Sequence, residues 1–155
     1  MPQVHRYTTT VSWKGSTAEG YENYDRRHTA KAPPAHATLA LASDPAFRGD
    51  PTLLNPEALL VVSASSCQLL SFLTVAARAR VDVVSYDDDA EAVMPEDDKP
   101  VRITRIVLRP RIVVRGEHPV DKIERLVRIG HDECYVANSL RTEVVVEPEI
   151  TFLQE

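Results

Sequence analysis

The sequence is poor in cysteine: Cys67 and Cys134 are the only two in 155 residues. Two cysteines so far apart cannot supply the disulfide framework of a small secreted domain. If they pair, the bond is chemical rather than structural. An excess of basic charge is also lacking. Lys and Arg number 18 against 23 Asp and Glu, giving a net charge of −5 with both signs mixed along the chain. That balance excludes the electrostatic footprint of a nucleic-acid-binding protein. The opening residues MPQVHRYTTT hold no apolar signal core, so a cytoplasmic protein is expected. Only residues 55–77 approach membrane-spanning length, and they carry Ser63, Ser65, Ser66, Gln68, Ser71 and Thr74 with no second span to receive those polar groups. No membrane partner is expected, and the length suits a single domain over 1–155.

That same stretch is what the rest of the chain is built around. Asn55 is a good N-cap, Pro56 fits the first helical position, and Glu57 places a negative charge at the positive end of the helix dipole. Leu59, Leu60, Val62, Leu69, Leu70, Phe72, Leu73 and Val75 then scatter around the whole circumference, which predicts a helix enclosed by protein on all sides. Before it, residues 7–13 alternate as a strand, 14–20 form a polar turn, 20–28 a return strand, and 38–41 a short strand. Residues 43–54 hold two Asp-Pro pairs and make the loop that leads into the helix. After it, 81–94 and 101–115 read as strands separated by the turn 95–100. Pro110 cannot donate to a ladder, which predicts a bulge or an edge strand there. Residues 119–131 return to helical spacing, and 142–146 and 149–153 close the chain as strands around Pro148. The expected fold is α+β: antiparallel sheets packed on a long buried central helix and a second helix. One sheet cannot cover a helix that is apolar all round, so a homodimer is expected as well.

Two arbitrary cysteines in such a domain are ordinarily small buried hydrophobes. A reactive thiol must be a thiolate, which apolar surroundings disfavour, so Cys67 would need a nearby cation. The helix N-terminus cannot serve, because Cys67 lies about 18 Å beyond Asn55 and the dipole's influence fades within one turn. Arg26 or Arg27, beside Tyr21, Tyr24 and His28, are the candidates, although a solvated basic edge is the plainer reading. His131 and Cys134 have the H-x-x-C spacing of metal ligands. A helix-end histidine explains them equally well, and no metal or bound cofactor is expected.

Four pieces of sequence, in order, carry a resemblance that spans nearly the whole chain. They are Tyr24-Asp25-Arg26-Arg27-His28; the segment Asp44 to Pro51; Asn55-Pro56-Glu57 with Ser-x-Ser-Ser-Cys67 ten positions on; and His131-Asp-Glu-Cys134-Tyr-Val-Ala-Asn-Ser139. Together they resemble the OsmC/Ohr family of thiol-dependent peroxidases. The resemblance implies an activity that reduces organic hydroperoxides, and hydrogen peroxide as a further substrate, in oxidative stress defence. It implies that Cys67 is the peroxidatic cysteine and is oxidised to a sulfenic acid. Cys134 would be the resolving cysteine that closes a disulfide, reduced in turn by an external dithiol: a lipoyl-type compound, a reductant protein or a small thiol. By the same resemblance Arg26 holds the thiolate and polarises the peroxide, and Glu57 orients Arg26 through a bidentate pair. Family members form intertwined homodimers with active sites at the interface. This suits the ten-residue spacing of Glu57 and Cys67, about 15 Å along one helix. Either two chains share each site, or Glu57 precedes the regular helix and folds back. Tyr135, where family peroxidases often carry proline, and Gln68, where some relatives carry histidine, place the chain in the OsmC-like branch. The alternative function is a non-enzymatic small-molecule binder or redox sensor using the same pocket and thiols.

Overall fold

In the computed structural model, which describes residues 1–154, Asn55 opens the long helix as expected. Its side-chain oxygen accepts from the Ala58 N–H at 2.8 Å, and its carbonyl accepts from the Leu59 N–H at 3.1 Å. Helix α1 then runs unbroken over Pro56–Arg78. It stops in a Schellman motif: the Val81 N–H donates to the Ala76 carbonyl and the Arg80 N–H to the Ala77 carbonyl, with Arg80 in the left-handed region at φ 57°. An arginine therefore occupies a position that glycine fills without strain.

The chain divides into two compact units, Met1–Leu59 and Leu60–Glu155. In the first, β1 (Thr10–Ser12), β2 (His28–Lys31) and β3 (Thr38–Leu41) form an antiparallel sheet in that order. The return strand expected from residue 20 begins only at His28. The intervening residues are turns, because their polar groups bind one another instead of a ladder. Arg26 donates to the carbonyls of Tyr21 and Tyr24, Trp13 Nε1 donates to the Asp25 carbonyl, and the Arg27 N–H donates to the Asp25 carboxylate. A single 3-10 turn, Pro45–Phe47, capped by Asp44, interrupts the proline-rich loop.

The second unit holds β4 (Asp82–Asp88), β5 (Glu91–Val93), β6 (Arg105–Leu108), β7 (Pro110–Arg115), α2 (Val120–Asp132), α3 (Tyr135–Asn138), β8 (Glu143–Val146) and β9 (Glu149–Leu153). Two three-stranded sheets result, β4-β7-β9 and β5-β6-β8. Each long strand expected from the sequence is thus split between two sheets. The offset between partner residues is the same on both sides of the split, Arg105 opposite Glu143 and Arg111 opposite Glu149, which brings Pro110 level with Pro148. Pro110 therefore marks neither an edge nor a bulge. It is the first residue of a central strand, a position where a missing N–H is tolerated. The register shift falls elsewhere, between Val83 and Ser85 of β4. The pairs β6–β8 and β7–β9 are parallel, correcting the expectation of antiparallel pairing throughout. The crossover through α2 returns the chain to the same end before β8 and β9 begin.

Two apolar cores follow from the two sheets. One gathers Phe72, Val75 and Ala76 of α1 with Ile112 and Val114 of β7 and Ile123, Leu126 and Val127 of α2. The other gathers Ala64 with Ile103, Ile106 and Leu108. Helix α1 is not enclosed on all sides, however. Only Ala64, Gln68, Phe72, Val75 and Ala76 are buried along its length, whereas Val62, Leu70 and Leu73 are 55%, 62% and 38% exposed. Sheets and α2 lie against one face, so the opposite apolar face is left open in the single chain. By length and composition α1 could cross a membrane, but its buried face is packed into these two cores.

Phe72 is wholly buried. Phe72→Ala is expected to cost about 3–5 kcal/mol in urea denaturation. Arg80→Gly is expected to stabilise the fold by about 1 kcal/mol by relieving the left-handed arginine, read as a higher urea midpoint with an unchanged slope.

Candidate active site

Cys67 projects from the middle of α1 and is half-buried; Cys134 is the residue immediately before α3 and is 1% exposed. Both are free thiols, and they lie near enough for Cys67 to act on the Cys134 thiol. Burial pushes the Cys134 thiol above its ordinary range, and the neighbouring Cys67 raises it further. The N–H groups of Ala137 and Val136 at the start of α3 pull the other way, although neither makes a capping hydrogen bond to the sulfur.

The sequence offers no local sign of a third group here, Tyr86 of β4. Its ring stacks at a tilt on Phe72 with centroids 5.9 Å apart, and its hydroxyl is buried without a hydrogen-bond partner among the described residues. Burial raises its pKa, with smaller contributions from Asp88 and from Cys134. Tyr86 also borders a cavity of about 520 Å³ with Val61, Val62, Ser65, Leu69 and Asp88. Gln68, next to Cys67, is fully buried and donates from Nε2 to the Val127 carbonyl at 3.3 Å. Its Oε1 has no partner among the described residues, and neither does Nδ1 of His131.

The remaining expected site residues lie in the first unit. Of the two arginines, Arg26 is the one turned inward, 8% exposed. Its Nη1 donates to the Tyr24 carbonyl at 2.9 Å and its Nη2 to the Tyr21 carbonyl at 2.7 Å, and its guanidinium lies 3.8 Å from the Tyr24 ring centroid. None of these partners is charged. Arg27 points outward and pairs with Asp50 at 3.2 Å. Glu57 stands inside the first turn of α1, so the fold-back alternative does not occur, and its Oε2 is buried with no partner among the described residues. The bidentate Arg26–Glu57 pair is not formed within the single chain: Arg26 donates to carbonyls instead.

Comparison with known proteins follows this geometry. The fold is that of an OsmC-like protein of unknown function from Vibrio cholerae, at 29% identity over 94% of this chain and 100% of that one, TM-score 0.85. An organic hydroperoxide resistance protein from Elizabethkingia anophelis matches at 14% identity over 99% and 100% of the two chains, TM-score 0.73. The organic hydroperoxide resistance protein OhrB of Bacillus subtilis matches at 15% over 95% and 98%, TM-score 0.61. At those identities the last two share the fold. No curated protein sequence matches. The family profile described as OsmC-like protein matches residues 49–149, and the chain belongs to the OsmC-like family.

Because the Tyr86 hydroxyl is buried unpaired, Tyr86→Phe is expected to leave the fold equally stable or more stable by about 1 kcal/mol. The raised Cys134 thiol contributes stability that is complete below the ordinary thiol range and is lost as the pH climbs through its raised value. Stability should therefore decline above about pH 8.5, and Cys134→Ser should flatten that decline in urea titrations run across pH.

Proposed function

We propose that this protein is a thiol-dependent peroxidase of the cytoplasm, reducing organic hydroperoxides and hydrogen peroxide as a homodimer. The observation that carries the reading is the proximity of two free thiols, one half-buried in mid-helix and one buried at the α2–α3 junction. The Cys67 thiolate attacks the terminal peroxide oxygen; the O–O bond breaks, the alcohol leaves with a proton, and a sulfenic acid remains. Cys134 gives up its proton and attacks that sulfur. The hydroxyl leaves with the proton as water, and the Cys67–Cys134 disulfide awaits an external dithiol.

Arg26 and Glu57 belong to this site in the second copy of the chain. A buried cation whose hydrogen-bond partners among the described residues are neutral carbonyls, and a buried carboxylate oxygen with no donor among them, are costly as they stand. A partner's thiolate and peroxide would complete the first, and closure of the interface would let Arg26 turn toward Glu57. The open apolar face of α1, with Val62, Leu70 and Leu73, supports a second copy as its cover. A second reading, binding of a small apolar molecule without turnover, is favoured by the cavity beside Tyr86.

With a dithiol and tert-butyl hydroperoxide, Cys67→Ser should consume no peroxide, and Cys134→Ser should give a single turnover or a slow multi-turnover activity; an unchanged rate in Cys67→Ser refutes the peroxidase. Saturable turnover in the wild type separates it from the binder. Shared sites also predict complementation. A one-to-one mixture of Cys67→Ser and Arg26→Ala chains, refolded together, should regain about a quarter of wild-type activity, because half the dimers carry one intact site of two. No gain would place both groups of each site in the same chain.

A further inference from the structure

Regeneration requires a reductant to touch the disulfide, and the two sulfurs are not equally reachable. Cys134 is 1% exposed. Val136 and Leu140, just beyond it, pack against Ala64, Ile103, Ile106 and Leu108. Its backbone is tied on both sides: its N–H donates to the His131 carbonyl at 3.1 Å, and its carbonyl accepts from the Asn138 N–H at 3.0 Å. Cys67 is only half-buried, and it is the sulfur that a peroxide has to reach.

We propose that the dithiol regenerating this protein attacks the sulfur of Cys67 and not that of Cys134, so that oxidant and reductant react in turn through one opening. The proposal rests on the peroxidase reading above. One thiolate of the dithiol bonds to Cys67 Sγ as the Cys67–Cys134 bond breaks, and Cys134 leaves as a thiolate and takes up a proton. The second thiol of the reductant, losing its proton, then attacks the reductant's own sulfur in the mixed disulfide. The Cys67 thiolate is released, and the two electrons now reside on the protein's two sulfurs, with the reductant oxidised to a cyclic disulfide.

Leaving-group chemistry alone would disfavour this choice, because a less basic thiolate departs faster and burial raises the Cys134 thiol. Access overrides it. Exchange proceeds by attack on the sulfur itself, and an enclosed sulfur offers no approach. The N–H groups of Ala137 and Val136 also face the departing Cys134 sulfur and favour its anion, which lessens the penalty. One shared opening further means that peroxide and dithiol exclude one another, so excess dithiol should inhibit turnover.

The test forms the disulfide with diamide, independently of peroxide. Cysteamine, a monothiol that cannot complete the second exchange, is then added, and the reaction is quenched in acid, alkylated and mapped by mass spectrometry. Cysteamine should be found on Cys67 and the alkyl label on Cys134, in at least about tenfold excess over the reverse. Equal or reversed labelling overturns the proposal, as does failure of diamide to link the two cysteines. As a second measurement, Cys134→Ser in its reduced form should react with 5,5′-dithiobis(2-nitrobenzoate) at least about ten times faster than Cys67→Ser does; equal rates overturn it. Failure of the peroxidase reading would show separately, as wild-type protein that consumes no hydroperoxide while the adduct map stays as expected.

Discussion

The length of α1 is the constraint to which the rest of the C-terminal unit answers. A helix of 23 residues is about 34 Å long, well beyond the span of the four- to seven-residue strands beside it. The strands cover it by bending together at one level, after Asp88, at Arg109 and around Pro148. Prolines suit that level because they have no N–H to leave unpaired. The donors that are exposed there converge on Asp88, whose carboxylate accepts from Ser65 Oγ at 2.5 Å and from the Arg109 N–H at 2.6 Å. The bend is thereby pinned to the helix.

Bending produces two cores and a seam between them, and the thiols lie at that seam. Along α1, Ala64 belongs to one core and Phe72 to the other, with Cys67 and Gln68 between. Along the returning chain, Leu126 and Val127 belong to one core, and Val136 and Leu140 pack on the other, with Cys134 between. The depth at which α2 approaches is set by Gly130, where an added Cβ would stand 3.0 Å from the Phe72 backbone. Gln68 fixes the same contact through the Val127 carbonyl. Cys134, four residues past Gly130, is placed by this packing and not by any group chosen for chemistry.

Charge plays two different parts. The outer strand faces carry arginines paired with acids, among them Arg105 with Glu143, Arg109 with Glu91 and Glu147, and Arg115 with Asp82. All are about half exposed, and such pairs contribute little in water. They keep the sheet edges soluble. Arg26 is the contrast, a guanidinium held against two tyrosine rings with carbonyl partners and no ion pair among the described residues.

Local rules were sufficient for elements whose signals lie within a few residues. Asn55-Pro56-Glu57 set the start of α1, the apolar spacing of Ile123 and Val127 placed α2, and β3 and β9 fall on their expected residues. The four quoted motifs were enough to indicate the family, and Cys67, Cys134, Arg26 and Glu57 could be named from them. What local rules could not reach was anything fixed by partners distant in sequence. The parallel pairing depends on where α2 returns the chain, and the split at Pro110 depends on Pro148 arriving at the same level. The one-sided burial of α1 depends on how much surface two small sheets can cover. The inward turn of Arg26 rather than Arg27, the place of Tyr86, and the proximity of the two thiols are likewise tertiary. Residue type and short-range spacing are local properties, and they were enough to single out Cys67, Cys134, Arg26 and Glu57 as candidates. Burial is a property of the whole packed chain, so it took the fold to show that Cys134 is enclosed and Cys67 only half-buried.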